Sequence, residues 1–248
     1  MRAAPATQNS SHTNSIQITG LKKSLGDRPV LRALDLTLQW GESLVLFGAN
    51  GAGKTTLLKV LSTQMRPDSG VVVVAGYDRQ RNPESIRRHV GIVSHRPLVY
   101  EDLTCLENLV FYARLFGVGS PRERAHLLLD RVGLTTQADH RLRTLSHGMQ
   151  KRLAIARAIV HQPKLLLLDE PEAGLDGDSL AMLRTIISEW TDAGRTVLMT
   201  THNVELGLSW ASKVAVLKAG RIDFQQSASQ LDISDFKQIL GGSLETTG

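Results

Sequence analysis

The sequence predicts an α/β fold: a mainly parallel core sheet, an N-terminal antiparallel β part, and an inserted helical subdomain. Three observations carry that expectation. Short unbroken apolar runs at residues 43–47, 165–168, 197–200 and 214–217 alternate with stretches of helical spacing, as strands buried on both faces do. Ahead of them, residues 16–21 and 30–38 alternate apolar with polar side chains, the pattern of half-buried strands. Between about Pro97 and His161 only helical spacing is found.

Taken in order, residues 1–15 are rich in Ser, Thr, Asn and Ala, lack an apolar core, and read as a disordered leader. The two amphipathic strands follow, then Gly41-Glu42 and the run 43–47, which ends on glycines. Helical spacing resumes over 54–61. Pro67-Asp68-Ser69-Gly70 turns into a strand at 71–75, and 90–93 reads as another. The insert carries amphipathic helices at 108–115, 122–132 and 148–160. After the strand at 165–168 come a helix at 179–193, strands at 197–200 and 214–217, a turn at Gly220, a strand at 221–224 and a short helix with a polar tail. The chain thus divides into a core (16–96 and 162–226), a helical subdomain (97–161) and a C-terminal tail (227–248).

Composition sets outer bounds. The 248 residues are 42% hydrophobic and 21% charged, as in an ordinary globular protein. A single cysteine, Cys105, excludes an internal disulfide and fits a reducing compartment. No run approaches the roughly 18 apolar residues of a membrane span, so any membrane is reached through a partner. Net charge is +5, and between Pro121 and Arg152 the basic Arg122, Arg124, Arg131, Arg141, Arg143, Lys151 and Arg152 stand against only Glu123, Asp130 and Asp139. With aromatics at 4% and none interleaved with these cations, the stretch reads as a solvated helical surface and nucleic acid is not expected.

Gly48-Ala49-Asn50-Gly51-Ala52-Gly53-Lys54-Thr55, followed by Thr56, fits the phosphate-loop pattern and lies between a predicted strand and a predicted helix. Its glycines let backbone N–H groups converge on phosphate oxygens, and the helix contributes its positive dipole end. Lys54 is placed to neutralise the β and γ phosphates of ATP, and Thr55 to hold Mg²⁺ through its hydroxyl. A bare glycine turn would match by chance in about one chain in a hundred, fewer with strand and helix in place. Residues 165–168 end in Asp169-Glu170, which puts two carboxylates at the C-terminal edge of a central strand, where open α/β sheets bind ligands. Asp169 is the metal candidate there and Glu170 the candidate base that polarises an attacking water.

Leu145-Ser146-His147-Gly148-Met149-Gln150-Lys151-Arg152 and the helix it starts resemble the signature motif of the ABC ATPases. Ala173-Gly174-Leu175-Asp176 is similar to their D-loop, and Thr200-Thr201-His202 to a strand ending in their switch histidine. The order matches over residues 16–224, making the expected fold a P-loop NTPase of the ABC type. The resemblance implies an ATP-hydrolysing subunit on the cytoplasmic side of the plasma membrane. It would drive integral membrane transporter subunits as half of a homodimer or with a paired ATPase subunit. Two ATPs would lie between the phosphate loop of one chain and Ser146 and Gly148 of the other, with His202 on the γ-phosphate and Asp176 linking the two sites.

Three positions depart from the family pattern. Leu25 stands where many relatives stack an aromatic ring on adenine. His147 and Met149 flank the signature glycine. His95 occupies the place of the Q-loop glutamine, as a metal-side or partner-sensing group. Residues 95–104, with Glu107-Asn108-Leu109 and 111–117, resemble the haem-exporter ATPases of cytochrome c maturation, which implies a haem-linked cargo. A multidrug or general efflux ATPase is the equal alternative, and a soluble ABC ATPase of the iron–sulfur assembly type is the alternative outside transport. No long coiled coil or second cassette is present to suggest a repair ATPase or a translation factor.

Overall fold

The computed structural model describes residues 14–95 and 97–244. An antiparallel sheet forms first, from β1 (Asn14–Leu25), β2 (Arg28–Gln39), β4 (Ser69–Val74) and β5 (Tyr77–Asp78), in the order β2-β1-β4-β5. The core sheet comprises β3 (Ser43–Phe47), β6 (Val90–Val93), β7 (Leu165–Asp169), β8 (Thr196–Thr200), β9 (Lys213–Lys218) and β10 (Arg221–Ser227). Its order is β10-β9-β3-β8-β7-β6, parallel except for the β9–β10 hairpin.

The continuous apolar runs have a direct cause. Along β3, Val45 and Phe47 enter one core while Leu44 and Leu46 enter another. β7 does the same with Leu166 and Leu168 against Leu165 and Leu167. Side chains of a strand alternate between faces, so a sheet covered on both sides needs apolar residues at every position. One core lies between this sheet, α1 (Lys54–Leu61) and the antiparallel sheet. The other lies under α3 (Cys105–Leu115), α4 (Pro121–Arg131), α5 (His147–Ala158) and α6 (Gly177–Asp192). Truncating a fully buried leucine such as Leu167 in this septum costs about 2–5 kcal/mol.

The chain leaves the sheet after β6, forms α3, α4 and α5, and returns at β7. Arg124 from α4 donates to the carbonyls of Ile159 and Val160 just beyond the last turn of α5, and Arg152 donates to those of Val132 and Gly133. Arg131 pairs with Glu189, Arg143 with Asp102, and Lys151 donates to the Glu170 carbonyl, so five of the seven basic side chains of this stretch bind the fold itself. Among the described residues no helix is long and apolar enough to cross a membrane.

One expectation needs correction, and two helices lie where none is expected. Asn14 and Ser15 belong to β1, not to a leader. Ser15 is fully buried and donates to Leu38 O at 3.0 Å; residues 1–13 lie outside the described residues. Two helices give no periodic signal, α2 (Pro83–His89) and α7 (Val204–Trp210). Each is seven residues long and buries a single position, Ile86 in one and Gly207 in the other, so neither has an apolar stripe. The short helix expected near the end is α8 (Ile233–Leu244), whose Phe236 is buried edge-on against Phe47 with centroids 5.0 Å apart.

Candidate active site

The loop between β3 and α1 turns on glycines that no other residue replaces. Gly48 has φ 153° and its missing Cβ would collide with Leu217 O, while Gly53 has φ 113° and a Cβ would sit 2.8 Å from Leu31. Gly53 is the N-cap of α1 and supplies no side-chain cap, so the first-turn amides of α1 remain available to an anion. Lys54 is 6% exposed, with Nζ 2.5 Å from Gly48 O and 3.2 Å from Ala49 O. Burial lowers its pKa, against the opposing pull of Glu170 and Asp169.

Parallel pairing of β7 with β8 places Asp169 beside Thr200. Asp169 is 2% exposed; its Oδ1 accepts from Thr200 Oγ1 at 2.8 Å and its Oδ2 from Thr55 Oγ1 at 2.9 Å. His95 Nε2 stands 3.6 Å from the same Oδ2. Phosphate loop, metal carboxylate and Q-loop position therefore meet at one carboxyl group. The oxygens of Thr55 and Asp169 suit Mg²⁺, which takes one or two protein oxygens alongside substrate phosphates and water. Among the described residues no cluster of three or more His, Cys, Asp and Glu could cage a metal unaided.

Glu170 adopts a left-handed backbone, φ 46°, which costs a non-glycine residue about 1 kcal/mol or more. Three contacts hold it there. Its amide donates to Thr200 O at 3.2 Å and to Thr200 Oγ1 at 3.1 Å, and its carbonyl accepts from Lys151 Nζ at 2.9 Å. The turn carries the carboxylate away from Asp169 and to His202, with Oε1 2.9 Å from Nε2. Thr201 Oγ1 bonds the Glu172 carboxylate, tying the segment after β7 to the segment after β8.

One cleft of about 330 Å³ is lined by Ala49, Asn50, Gly51, Gly53, Lys54, Thr55, Thr56, His95 and Glu170, with Leu25, Arg28 and Val30 at its other wall. Gly48 and Ala52 line the adjoining hollow, and His202 a further one beside Ala49 and Asn50. Ser146, Gly148 and Asp176 line none of the three. Ser146 caps α5 by accepting from Met149 N at 3.3 Å, and Asp176 caps α6 by accepting from Ser179 N at 2.9 Å; both are exposed. Hydrogen bonding to Ser179, through its hydroxyl first and then its amide, lowers the Asp176 pKa.

Thr200, Lys151 and Arg28 enter the site without having been singled out. Thr200 and Lys151 stand inside motifs noted for their neighbours, His202 and Ser146, while Arg28 carries no sequence signal beyond its place at the start of β2.

Comparison with known proteins agrees with this geometry. The family described as ABC transporter matches residues 31–173. The daunorubicin/doxorubicin resistance ATP-binding protein DrrA of Streptomyces peucetius is 38% identical over 234 residues, 94% of this chain and 71% of that protein. A Nod factor export ATP-binding protein I, from Cupriavidus metallidurans, is 36% identical, with 94% and 79% covered. A dimeric, post-hydrolysis ATP-binding cassette, MJ0796 bound to ADP and Pi, superposes with TM-score 0.78 at 25% identity, covering 86% of this chain and 98% of that one. An ATP-binding subunit of an ABC transporter gives TM-score 0.82 at 27% identity, with 93% and 96% covered.

Proposed function

The chain belongs to the ABC transporter family as an ATP-binding, ATP-hydrolysing cassette, and from that membership we propose that it powers an exporter, paired head to tail with a second ATPase subunit beneath separate membrane subunits. One observation carries the reading. Lys54, Thr55, Asp169, Glu170 and His202 converge at the edge of the core sheet, while Ser146 and Asp176 sit exposed, and Gly148 half-buried, outside that cleft. Each chain holds half of a site and presents the other half to a partner.

In the assembled site the loop amides and Lys54 bind the β and γ phosphates. Thr55 and Asp169 hold Mg²⁺, which neutralises phosphate charge when bound. His95 acts through Asp169, because magnesium prefers oxygen donors and the imidazole already faces that carboxylate. Glu170 accepts the proton of the attacking water, and His202 both fixes the Glu170 carboxylate and reaches the γ-phosphate. Ser146 and the amides starting α5 close the partner's site. Residues 97–161 then act as the arm that carries the signature, on the cytoplasmic face of the membrane.

The cargo reading rests on the relatives. Those named above concern drug resistance and Nod factor export, and support a cargo of the drug or Nod-factor kind. The haem reading rests on the segment from His95 to Gly117 alone and stands second. Glu170→Gln saturated with MgATP should elute as a dimer and lose turnover. A chain that stays monomeric refutes the half-site reading. In a complex with its membrane subunits, stimulation of ATPase by daunorubicin but not by haem favours the first cargo class, and the reverse favours the second.

A further inference from the structure

The end of α1 remote from the phosphate loop borders a second polar hollow, of about 620 Å³. Its walls include Arg66, Arg79 and Arg87, together with Thr63, Gln64 and Gln80. Arg79 is 4% exposed and donates to Val60 O at 3.2 Å, Thr63 O at 3.1 Å and Met65 O at 2.8 Å, carbonyls at and just beyond the end of α1. Arg87 Nη1 donates to Thr63 Oγ1 at 3.2 Å, and Arg66 is exposed.

The charges do not balance. A helix C-terminus offers about half a negative charge, enough for part of one guanidinium and not for three. Among the described residues none of the three pairs with a carboxylate. Asp68, close in sequence, is already held by Lys23 and by the amide of Ser24. Burial, and then the charges of Arg66 and Arg87, lower the pKa of Arg79. The hollow is concave and polar-lined, and with Arg79 Nε and Nη2 given to backbone carbonyls the forked donors offered to a tetrahedral oxyanion are mainly those of Arg66 and Arg87; guanidinium binds phosphate in bidentate fashion.

We propose that this hollow binds a phosphate group, from free phosphate or from a phosphomonoester lipid headgroup, in the grip of Arg66 and Arg87 beside the buried charge of Arg79. It lies about 12 Å, the length of α1, from the nucleotide cradle. An anion there ties the segment after α1 to α2, steadying the far end of the helix whose first turn receives the nucleotide phosphates.

The test uses the full chain carrying Lys54→Ala, which removes the cradle's own counter-charge. Inorganic phosphate is titrated against chloride of equal ionic strength while the thermal midpoint is read. A saturable upward shift is expected, and Arg66→Ala/Arg87→Ala should raise the apparent Kd about tenfold or more. Arg66→Gln, at an exposed side chain, guards against misfolding of the double variant and should raise the Kd about threefold. Flotation with vesicles containing phosphatidic acid, against phosphatidylcholine alone, separates the sources. Retention lost with the arginines assigns a headgroup, and a phosphate shift without retention assigns the free anion. No saturable effect of either probe, or effects unchanged in the arginine variants, overturns the proposal.

Discussion

Thr200→Val removes a single hydroxyl and keeps the shape of the side chain. Thr200 is fully buried, and its Oγ1 is the hydrogen-bond donor to Asp169 Oδ1 at 2.8 Å, on a carboxylate only 2% exposed. The amide of Glu170 keeps its second acceptor, Thr200 O at 3.2 Å, so the backbone turn persists. The loss is therefore concentrated on Asp169. A buried hydrogen bond to a charged group contributes about 1.5–3 kcal/mol, and denaturant unfolding should lose about 2 kcal/mol of stability. The same hydroxyl orients the carboxylate offered to Mg²⁺, and loss of such an outer partner weakens metal affinity roughly 10–100-fold. The Mg²⁺ concentration giving half-maximal ATPase should rise by about that factor. Thr200→Ser, which retains the hydroxyl, should restore most of both. A Thr200→Val protein with wild-type Mg²⁺ dependence and wild-type stability would refute the view that the β7–β8 ladder positions Asp169.

Other perturbations address the remaining parts of the site. Arg28 lines the cleft beside Leu25, and Arg28→Ala should weaken ATP about 3–30-fold through a lost cation–π contact with adenine, measured by fluorescence titration. An equal loss for tripolyphosphate would make it a phosphate contact instead. His95→Ala should bind nucleotide normally yet lose stimulation of its ATPase by the membrane subunits, and unchanged coupling would remove His95 from that role. His161 stacks on Phe116 at 3.9 Å; burial, opposed by a backbone hydrogen bond to Val90 and aided by Arg157, His89 and Arg124, lowers its pKa from 6.5 to about 4. The folded value lies below the unfolded one, so the unfolded chain takes up the extra proton and stability is lost as pH falls through that window. Between about pH 7.5 and about pH 5 the loss is roughly 2 kcal/mol. His161→Leu should lose correspondingly less over the same interval, and denaturation curves equally pH-sensitive in both proteins would contradict the assignment.

Much of the site was legible because its parts are contiguous. The phosphate loop, Asp169-Glu170 and Ser146 to Gly148 are each short strings whose chemistry is local. The bounds of α1, Lys54–Leu61, agree with the spacing because the helix starts directly after the loop glycines and buries Leu57, Leu58, Val60 and Leu61. α2 and α7 were illegible because one buried position makes no pattern. The leader was drawn too long because Ser15, polar in type, is buried by satisfying Leu38 O. Arg28, Arg66 and Arg87 read as ordinary exposed cations; only the hollows they line give them roles.

The sequence by itself determined the fold class and the kind of ligand, since alternating apolar runs select a covered parallel sheet and a glycine loop ahead of a helix selects a phosphate. Which groups act together was decided by the tertiary structure. Asp169 and Thr200 lie 31 residues apart and meet because β7 and β8 pair in parallel register. Glu170 meets His202 because a left-handed turn after β7 points its carboxylate toward the end of β8. Strand order and backbone handedness set those distances, and neither is written in any single stretch of the chain.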